Sequence, residues 1–150
     1  MKEKKFDRFR PRIFIDKEGR WFQDGIPVLH KWTYLYNNRH LRRDKKGRYY
    51  IEEGMGRIYA IVEDTPFIVK MIDKRTDGFY LILNDETEEK LELNNLKMSK
   101  ENIPYTKVKG GEFDARFTRQ AYYELTKFLR HDNGKFYLEL DDNKHYLEQK

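Results

Sequence analysis

The sequence predicts an α+β fold built from many short strands and two helices. Short runs of β-branched and aromatic residues recur along the chain, and such residues favour strands. Two other segments space their apolar residues at helical intervals. Turn-forming Asp, Asn and Gly residues separate these segments, as expected between the elements of a folded domain. With 150 residues, the chain is long enough for one domain or for two small subdomains.

Composition excludes several classes of protein. Cysteine is absent from the sequence, which excludes disulfide scaffolds, thiolate nucleophiles and cysteine-based metal centres. Hydrophobic residues make up 38% of the chain and charged residues also 38%, but aromatic residues reach 15%, which argues against disorder. The basic N-terminus has no apolar run behind it, and no segment approaches the roughly 20 apolar residues of a spanning helix. We therefore expect a cytoplasmic protein with neither a secretory signal nor a membrane span.

The first part of the chain is predicted to form a basic arm and a small α+β subdomain. Residues 1–12 are expected to be a flexible basic arm, and residues 13–54 an N-terminal subdomain. Asp24-Gly25 is typical of a two-residue hairpin turn, and Pro27 suits the first position of a helix. The predicted elements are, in order, strands over 13–15 and 20–23, a helix over 28–42 and a strand over 48–52. The apolar residues of that helix are predicted to face the core: Val28, Trp32, Leu35 and Tyr36.

Residues 55–150 are predicted to form a second subdomain dominated by strands. Its predicted strands cover residues 58–62, 67–72, 79–83, 91–93, 105–109, 113–117 and 135–140. A helix is expected after Thr118, whose side chain is a good N-cap. The predicted apolar stripe of this helix contains Ala121, Tyr122, Leu125, Phe128 and Leu129. The turn residues Asp132, Asn133 and Gly134 are expected to end it.

An internal echo predicts that the two subdomains are related. The segment GRYYIE at 47–52 aligns with GKFYLE at 134–139, and each follows a predicted helix with a basic end. At the same offset Tyr36 falls on Tyr123. We therefore predict a duplicated strand–helix–strand motif. The alternative is that two unrelated segments with the same order of helix, turn and strand have similar sequences without duplication.

Three ordered motifs resemble a bacterial family called domain of unknown function 1285. The motifs are, in order, IDKEGRWF and GIP within residues 15–27, VEDTPF at 62–67, and VKGG, ARFTR and YYEL between residues 108 and 125. Together they place the resemblance over residues 13–140. Three motifs in a fixed order are far more specific than any one of them alone.

The family resemblance carries expectations about fold and function. It implies an α+β protein of two related subdomains, the second of which is similar to a pleckstrin-homology-like barrel. It also implies a ligand site at the interface of the subdomains, suited to a nucleotide-based ligand, and a role in signal transduction. This chain is more basic and richer in Tyr and Lys than the family pattern, so its ligand preference can differ.

A glycine pair and two arginines form a candidate anion site. Gly110 and Gly111 allow backbone N–H groups to approach a phosphate, and Lys109 precedes them. Arg116 and Arg119 offer planar guanidinium groups that match phosphate oxygens. Arg119 is expected beside the positive end of the predicted helix, where anions bind.

A structural role is the alternative for these groups: Gly110 and Gly111 would then form a plain β-turn, and the arginines would be exposed or paired with the carboxylates of the central motif. Glu63 and Asp64 are adjacent acids beside Pro66. Because successive strand residues point to opposite faces, these carboxylates are not expected to converge on a metal or on a reacting group. We expect a turn here, with a salt bridge between the subdomains to Arg116 or Arg119.

Aromatic residues supply the remaining candidates. Trp21 lies in a short strand next to a turn and is the predicted residue for stacking on a base. Trp32, Tyr36, Tyr122 and Tyr123 could also stack on a base, but aromatic residues at helical spacing are more often core than ligand-binding. A structural or interface role is therefore predicted for Tyr122 and Tyr123.

The function predicted from the sequence is that of a non-enzymatic regulatory or sensory module that binds a nucleotide-like anionic ligand. No catalytic constellation, metal set or cofactor motif is recognisable, so no catalytic residues, metal or cofactor are predicted. The alternative is a nucleic-acid-binding or protein-interaction module, because residues 1–50 carry 15 Lys or Arg and 6 Asp or Glu. The basic cluster that would serve it is Arg39, Arg42, Arg43, Lys45, Lys46 and Arg48.

Overall fold

The computed structural model describes residues 12–150, so the predicted arm at 1–12 lies outside the described residues apart from Arg12. These residues form sixteen strands, two α-helices and one short 3-10 helix, which confirms the predicted α+β class. The chain divides into two compact units, Met1–Asp64 and Thr65–Lys150. The division therefore falls later in the chain than the boundary predicted after residue 54.

Over the described residues 12–64, the first unit consists of a six-stranded mixed sheet and one helix. Its elements are β1 (Ile13–Ile15), β2 (Trp21–Gln23), β3 (Ile26–Pro27), α1 (Lys31–Arg39), β4 (Arg42–Arg43), β5 (Tyr49–Glu53) and β6 (Gly56–Val62). The strand order is β3-β2-β1-β6-β5-β4. β1 is antiparallel to β2 and parallel to β6. Because β6 is a central strand of this sheet, the residues up to Asp64 belong to the first unit.

Two turns of the same type connect neighbouring strands of this sheet, one between β1 and β2 and the other between β4 and β5. The carboxylate of Asp16 accepts hydrogen bonds from the backbone N–H groups of Glu18 and Arg20 and from Arg20 Nε at 2.6 Å. Asp44 makes the equivalent three bonds, including one of 2.9 Å from Arg48 Nε. Both turns have the sequence DKxGR. Each aspartate thus satisfies backbone donors that the tight turn leaves without strand partners.

Helix α1 is shorter than predicted and buries a different face. Pro27 lies in β3 and does not start the helix. Leu35 and Asn38 are the buried residues of α1, whereas Trp32 is 68% exposed and Tyr36 is 60% exposed. The prediction that Trp32 and Tyr36 are core residues is therefore wrong. A nine-residue helix on one side of the sheet buries only a narrow stripe, and here that stripe passes through Leu35.

The second unit contains a seven-stranded sheet, a three-stranded sheet and helix α2. Its strands are β7 (Phe67–Arg75), β8 (Gly78–Leu83), β9 (Glu88–Lys90), β10 (Lys97–Met98), β11 (Pro104–Val108), β12 (Phe113–Phe117), β13 (Leu129–Asp132), β14 (Lys135–Leu140), β15 (Asn143–Tyr146) and β16 (Glu148–Gln149). Helix α2 covers Arg119–Thr126, and the 3-10 helix covers Leu93–Asn95.

The sheets of the second unit remain open. The large sheet has the order β16-β10-β11-β12-β7-β8-β9, and the small one is the meander β13-β14-β15. Parallel pairs join β12 to β7 and β10 to β16. Since the large sheet has two end strands, no closed barrel is seen among the described residues. The expected pleckstrin-homology-like barrel is therefore not confirmed.

Helix α2 packs on β7 and β12 through its own apolar side chains. Ala121 and Leu125 are fully buried, and the Thr118 hydroxyl accepts a hydrogen bond of 3.0 Å from Ala121 N–H. This bond confirms the predicted N-cap. The helix ends at Thr126, and Leu129 already begins β13, so the predicted extension of the helical stripe is wrong. Pairing of β13 with β14 across a two-residue turn replaces the expected last helical turn.

Candidate functional site

A groove of about 520 Å³ lies on the second unit where β12 passes into α2. Four residues selected from the sequence line it, namely Arg116, Arg119, Tyr122 and Tyr123. Its volume falls within the range of small-molecule sites, which is about 300–1,000 Å³. The structure thus brings together the arginines and the tyrosines of the C-terminal motif.

Strand alternation positions Arg116 on the groove. Phe113, Ala115 and Phe117 are buried on the core side of β12, and Arg116 is half-buried on the other side. Its backbone N–H donates to Thr65 Oγ1 at 3.1 Å, which ties the strand to the segment before β7. The backbone at Arg116 is therefore fixed by the sheet on which the groove is built.

Helical spacing positions the other three groove residues. Arg119 is the first residue of α2, and Tyr122 and Tyr123 follow it by three and four residues. Residues at these intervals are neighbours on a helix surface. The two tyrosine rings lie 6.1 Å apart at a tilted angle, and Tyr123 is 57% exposed. One face of the first two turns of α2 thus combines a guanidinium group with two phenol rings.

The electrostatics of the groove favour an anion. The hydroxyl of Thr118 satisfies Ala121 N–H, but the N–H groups of Arg119 and Gln120 have no partner within the helix. These groups carry the positive end of the helix dipole, to which the guanidinium groups add their charge. Glu101 also lines the groove and contributes the opposing charge. The arrangement suits a ligand whose negative charge lies near the helix start.

The predicted phosphate loop lies at the other end of the β11–β12 hairpin. In the register of this hairpin Tyr105 is opposite Arg116, whereas Val108 is opposite Phe113 and the loop 109–111 follows. At about 3.3 Å per strand residue, the backbones at Phe113 and Arg116 are about 10 Å apart. The prediction that this loop and the arginines form one anion site is therefore not supported by the structure.

Lys109 has a structural partner that the sequence did not reveal. Its ammonium group lies 2.7 Å from Asp85 Oδ2 and 2.8 Å from Thr87 Oγ1. The side chain of Asp85 is fully buried. Burial raises the pKa of Asp85, but hydrogen bonds from Lys109 and Thr87 outweigh it and hold the pKa below its usual value. Gly110 and Gly111, with φ of 71° and 87°, form the turn of the hairpin beside this pair.

Trp21 is a core residue of the first unit. Only 3% of it is exposed, and its indole N–H donates to Asn38 Oδ1 at 2.8 Å. The ring therefore offers no free face for stacking on a ligand, in contrast to the prediction. The error arises because a three-residue strand is too short for its alternation to show which side faces the core.

The VEDTPF segment is a connection held by hydrogen bonds between its side chains and backbone groups. Glu63 Oε1 accepts a bond of 3.0 Å from Lys17 N–H, within the first unit. Thr65 is buried, and its hydroxyl donates to the Phe67 carbonyl at 2.8 Å while accepting from Arg116 N–H. These contacts support a structural role for the motif. The salt bridge expected between the subdomains stays a prediction.

A second groove of about 690 Å³ was not anticipated from the sequence. It lies beside β10, β14 and β16, and its charged lining includes Lys100, Lys135 and Glu148. The sequence contains no usable signal for it, because β10 and β16 have two residues each. Strands this short show no recognisable alternation.

Comparison with known proteins bears on the fold. No family model matches the chain, and no curated protein matches it. The crystal structure of a DUF1285 family protein from Silicibacter pomeroyi DSS-3 superimposes with a TM-score of 0.75 at 19% identity, covering 93% of this chain and 80% of that one. The chain has the DUF1285 fold. A DUF1285 family protein from Shewanella baltica OS155 gives a TM-score of 0.64 at 17% identity, over 78% of this chain and 91% of that one.

The structural likeness confirms the resemblance inferred from the three motifs. At identities below one fifth it concerns the DUF1285 fold and carries no ligand or activity with it. Among residues 12–150, no helix is long and apolar enough to cross a membrane. The same stretch holds no group of three or more His, Asp or Glu side chains placed to bind a metal ion.

Proposed function

We propose that this chain is a non-enzymatic regulatory module that binds a nucleotide-like anionic ligand in the groove of its second unit. The supporting observation is the convergence of Arg116, Arg119 and Tyr123 on one groove at the start of α2. The sequence resemblance to the DUF1285 family adds the expectation of a nucleotide-based ligand and of a role in signal transduction.

Each part of the proposed ligand has a matching group. A phosphate accepts hydrogen bonds from the Arg119 guanidinium group and from the N–H groups at the start of α2. Arg116, half-buried on β12, adds a second positive charge on the same groove. The exposed ring of Tyr123 offers a face on which a planar base stacks. An anion without an aromatic group would use only the first two of these contacts.

We infer in addition that the helix and meander of each unit are copies of one duplicated motif. α1 is followed by β4, β5 and β6 as α2 is followed by β13, β14 and β15. The last two strands of each set are joined by a two-residue turn. Tyr36 and Tyr123 occupy matching places in the echo, and both side chains are exposed, at 60% and 57%.

Thermal-shift and calorimetric titrations with mononucleotides, cyclic nucleotides and dinucleotides test the ligand proposal. A ligand present at a hundred times its Kd stabilises the fold by about 2.7 kcal/mol, which is readily measured. We expect Arg119→Ala and Tyr123→Ala each to weaken binding about tenfold or more.

Two matched variants on the same helix control for charge and helicity. Lys127→Ala removes one positive charge at the far end of α2, and Gln120→Ala changes the first turn, and neither residue lines the groove. Both are expected to bind the ligand within twofold of the unmodified chain. Equal weakening by Lys127→Ala and Arg119→Ala would show a non-specific charge effect and contradict the site. Failure of every nucleotide to shift the transition would contradict the ligand class.

A further inference from the structure

The solvent face of α1 is an aromatic row. Trp32 and Tyr36 are four residues apart and share a helix face, and they are 68% and 60% exposed. His40 caps the C-terminus of the helix, and its ring stacks on that of Tyr36 with centroids 4.0 Å apart and planes 23° apart. The three rings therefore follow one another along the helix. Large exposed aromatic side chains in series mark an interaction surface.

The chain around this row is strongly positive. Residues 28–51 contain seven Lys or Arg and a single carboxylate, that of Asp44. Asp44 is already bound by Arg48 Nε at 2.9 Å and by backbone N–H groups of its own turn. Its charge is therefore offset locally. Arg42, Arg43, Lys45 and Lys46, which follow α1 in the chain, are exposed and positively charged. Arg42 and Arg43 are both exposed in the edge strand β4 after α1, and because successive strand residues point to opposite faces, their side chains lie on either side of this sheet edge.

We propose that this surface, formed by Trp32, Tyr36, His40, Arg42 and Arg43, binds single-stranded nucleic acid. Arginines after the aromatic row neutralise backbone phosphates, while the rings of Trp32 and Tyr36 stack on successive bases. The combination of aromatic faces with a basic track is the general chemistry of single-strand binding.

The aromatic row favours a single strand over a duplex. Bases in a duplex are stacked on one another and expose only their edges, so a tryptophan ring on a helix has no base face to contact. A helix that reads a duplex groove presents small polar side chains or Arg and Asn toward the base edges. In α1 the exposed face presents Trp32 and Tyr36 instead.

The tryptophans provide a direct optical test. The chain has two tryptophans, and Trp21 is 3% exposed whereas Trp32 is 68% exposed. A base stacked on Trp32 quenches its emission and leaves that of buried Trp21 unchanged. Titration with a fluorescein-labelled oligothymidine, followed by anisotropy and by tryptophan emission, is expected to show binding together with partial quenching. Trp32→Phe is expected to abolish the quenching while the emission of Trp21 reports an intact fold.

Variants separate stacking from phosphate neutralisation. Trp32→Ala and Tyr36→Ala are each expected to weaken single-strand binding about tenfold, and Tyr146→Ala, an exposed aromatic of the second unit, is the matched control. The pair Arg42→Ala and Arg43→Ala is expected to reduce the slope of log K against log salt by about 0.7 for each phosphate that the variant no longer neutralises. Lys127→Ala removes a positive charge outside both surfaces and is expected to leave oligonucleotide binding within twofold. Trp32→Ala is expected to leave mononucleotide binding in the groove of the second unit within twofold. The proposals for this surface and for the nucleotide groove can therefore be refuted independently.

Other partners give distinct outcomes. Preference for a duplex of the same length, or equal loss of affinity in Trp32→Ala and Tyr146→Ala, would overturn the proposal. A blue shift of Trp32 emission on anionic phospholipid vesicles, without binding of the oligonucleotide, would identify a membrane surface instead. Absence of quenching with unchanged anisotropy at low salt would overturn it as well.

Discussion

The buried contact between Lys109 and Asp85 provides the sharpest test of how the second unit is held together. Lys109 belongs to the turn of the β11–β12 hairpin, and Asp85 to the turn between β8 and β9. The carboxylate is fully buried, whereas the lysine side chain is 26% exposed. Replacement of the lysine by methionine preserves the aliphatic stem and removes only the cation. We expect Lys109→Met to leave a buried carboxylate without its cation.

The expected loss of unfolding free energy depends on the hydrogen bonds that the Asp85 carboxylate keeps. Removal of one partner from a buried ion pair costs about 3–5 kcal/mol. The backbone N–H and hydroxyl of Thr87 still donate to Asp85 after the substitution, which places the expected cost near the lower end, at about 3 kcal/mol. For a chain of this length that corresponds to a fall in Tm of roughly 6–12 °C.

The pH dependence fixes the sign of the effect. The pKa of Asp85 is held below its usual value in the folded chain, so its stabilising contribution is present above the unfolded pKa of about 3.9. That contribution is lost as the pH falls through the lower folded pKa. In Lys109→Met the burial of Asp85 still raises its pKa, and the lysine no longer opposes this effect. Protonation of the carboxylate at acidic pH therefore removes the cost of burying its charge in the variant. The difference in unfolding free energy between the two proteins should shrink from pH 7 to pH 4.

Urea unfolding of matched variants measures this difference. Lys107→Met makes the same chemical change in β11, where the lysine pairs with Asp114 at 3.2 Å and both side chains are about half-exposed. Such a surface pair is worth about 0–1 kcal/mol. The double variant Asp85→Asn with Lys109→Met should recover part of the loss, because no buried charge then lacks its partner. Equal costs for Lys109→Met and Lys107→Met, or a cost that does not change with pH, would refute the reasoning.

Three further substitutions test individual contacts by urea unfolding. Thr118→Ala removes the N-cap acceptor of Ala121 N–H and should cost about 1 kcal/mol, whereas a cost near zero would show that the cap contributes nothing. Asn38→Ala leaves the buried Trp21 indole N–H without its acceptor and should cost about 1–3 kcal/mol, with a change in tryptophan emission as a second readout. Leu125→Ala empties a fully buried site and should cost about 2–5 kcal/mol, and a smaller value would mean that α2 does not pack as described.

Signals confined to a few neighbouring residues predicted local structure well. Asp24-Gly25 forms the expected two-residue hairpin turn, with φ of 50° and 81° at the two positions. The alternation of residues 113–117 appears as alternating burial along β12. The cap at Thr118 is formed by the predicted side chain. In each case the physical cause lies within the segment itself, so the amino-acid pattern contains it.

Features that depend on distant partners could not be predicted in the same way. The sequence predicts that Trp21 is available for stacking and that Trp32 faces the core, yet Trp21 is buried and Trp32 is exposed. The difference depends on Asn38, which approaches Trp21 only in the folded first unit. The sequence around Lys109 is compatible with a phosphate loop or with a plain turn, and only the folded second unit brings this lysine to Asp85. Spacing predicts which residues share a face, but the identity of the buried face is decided by tertiary contacts.

The two proposed binding surfaces differ in a way that follows from charge. Tyr36 and Tyr123 occupy matching places in the sequence echo, and both are exposed. Helix α2 contains Glu124, which pairs with Lys127 at 3.1 Å and limits the positive charge to the start of the helix. Helix α1 contains no acid and is followed directly by two exposed arginines. The charge at the start of α2 therefore suits a short anion, whereas the longer run of basic residues after α1 suits a chain of phosphates.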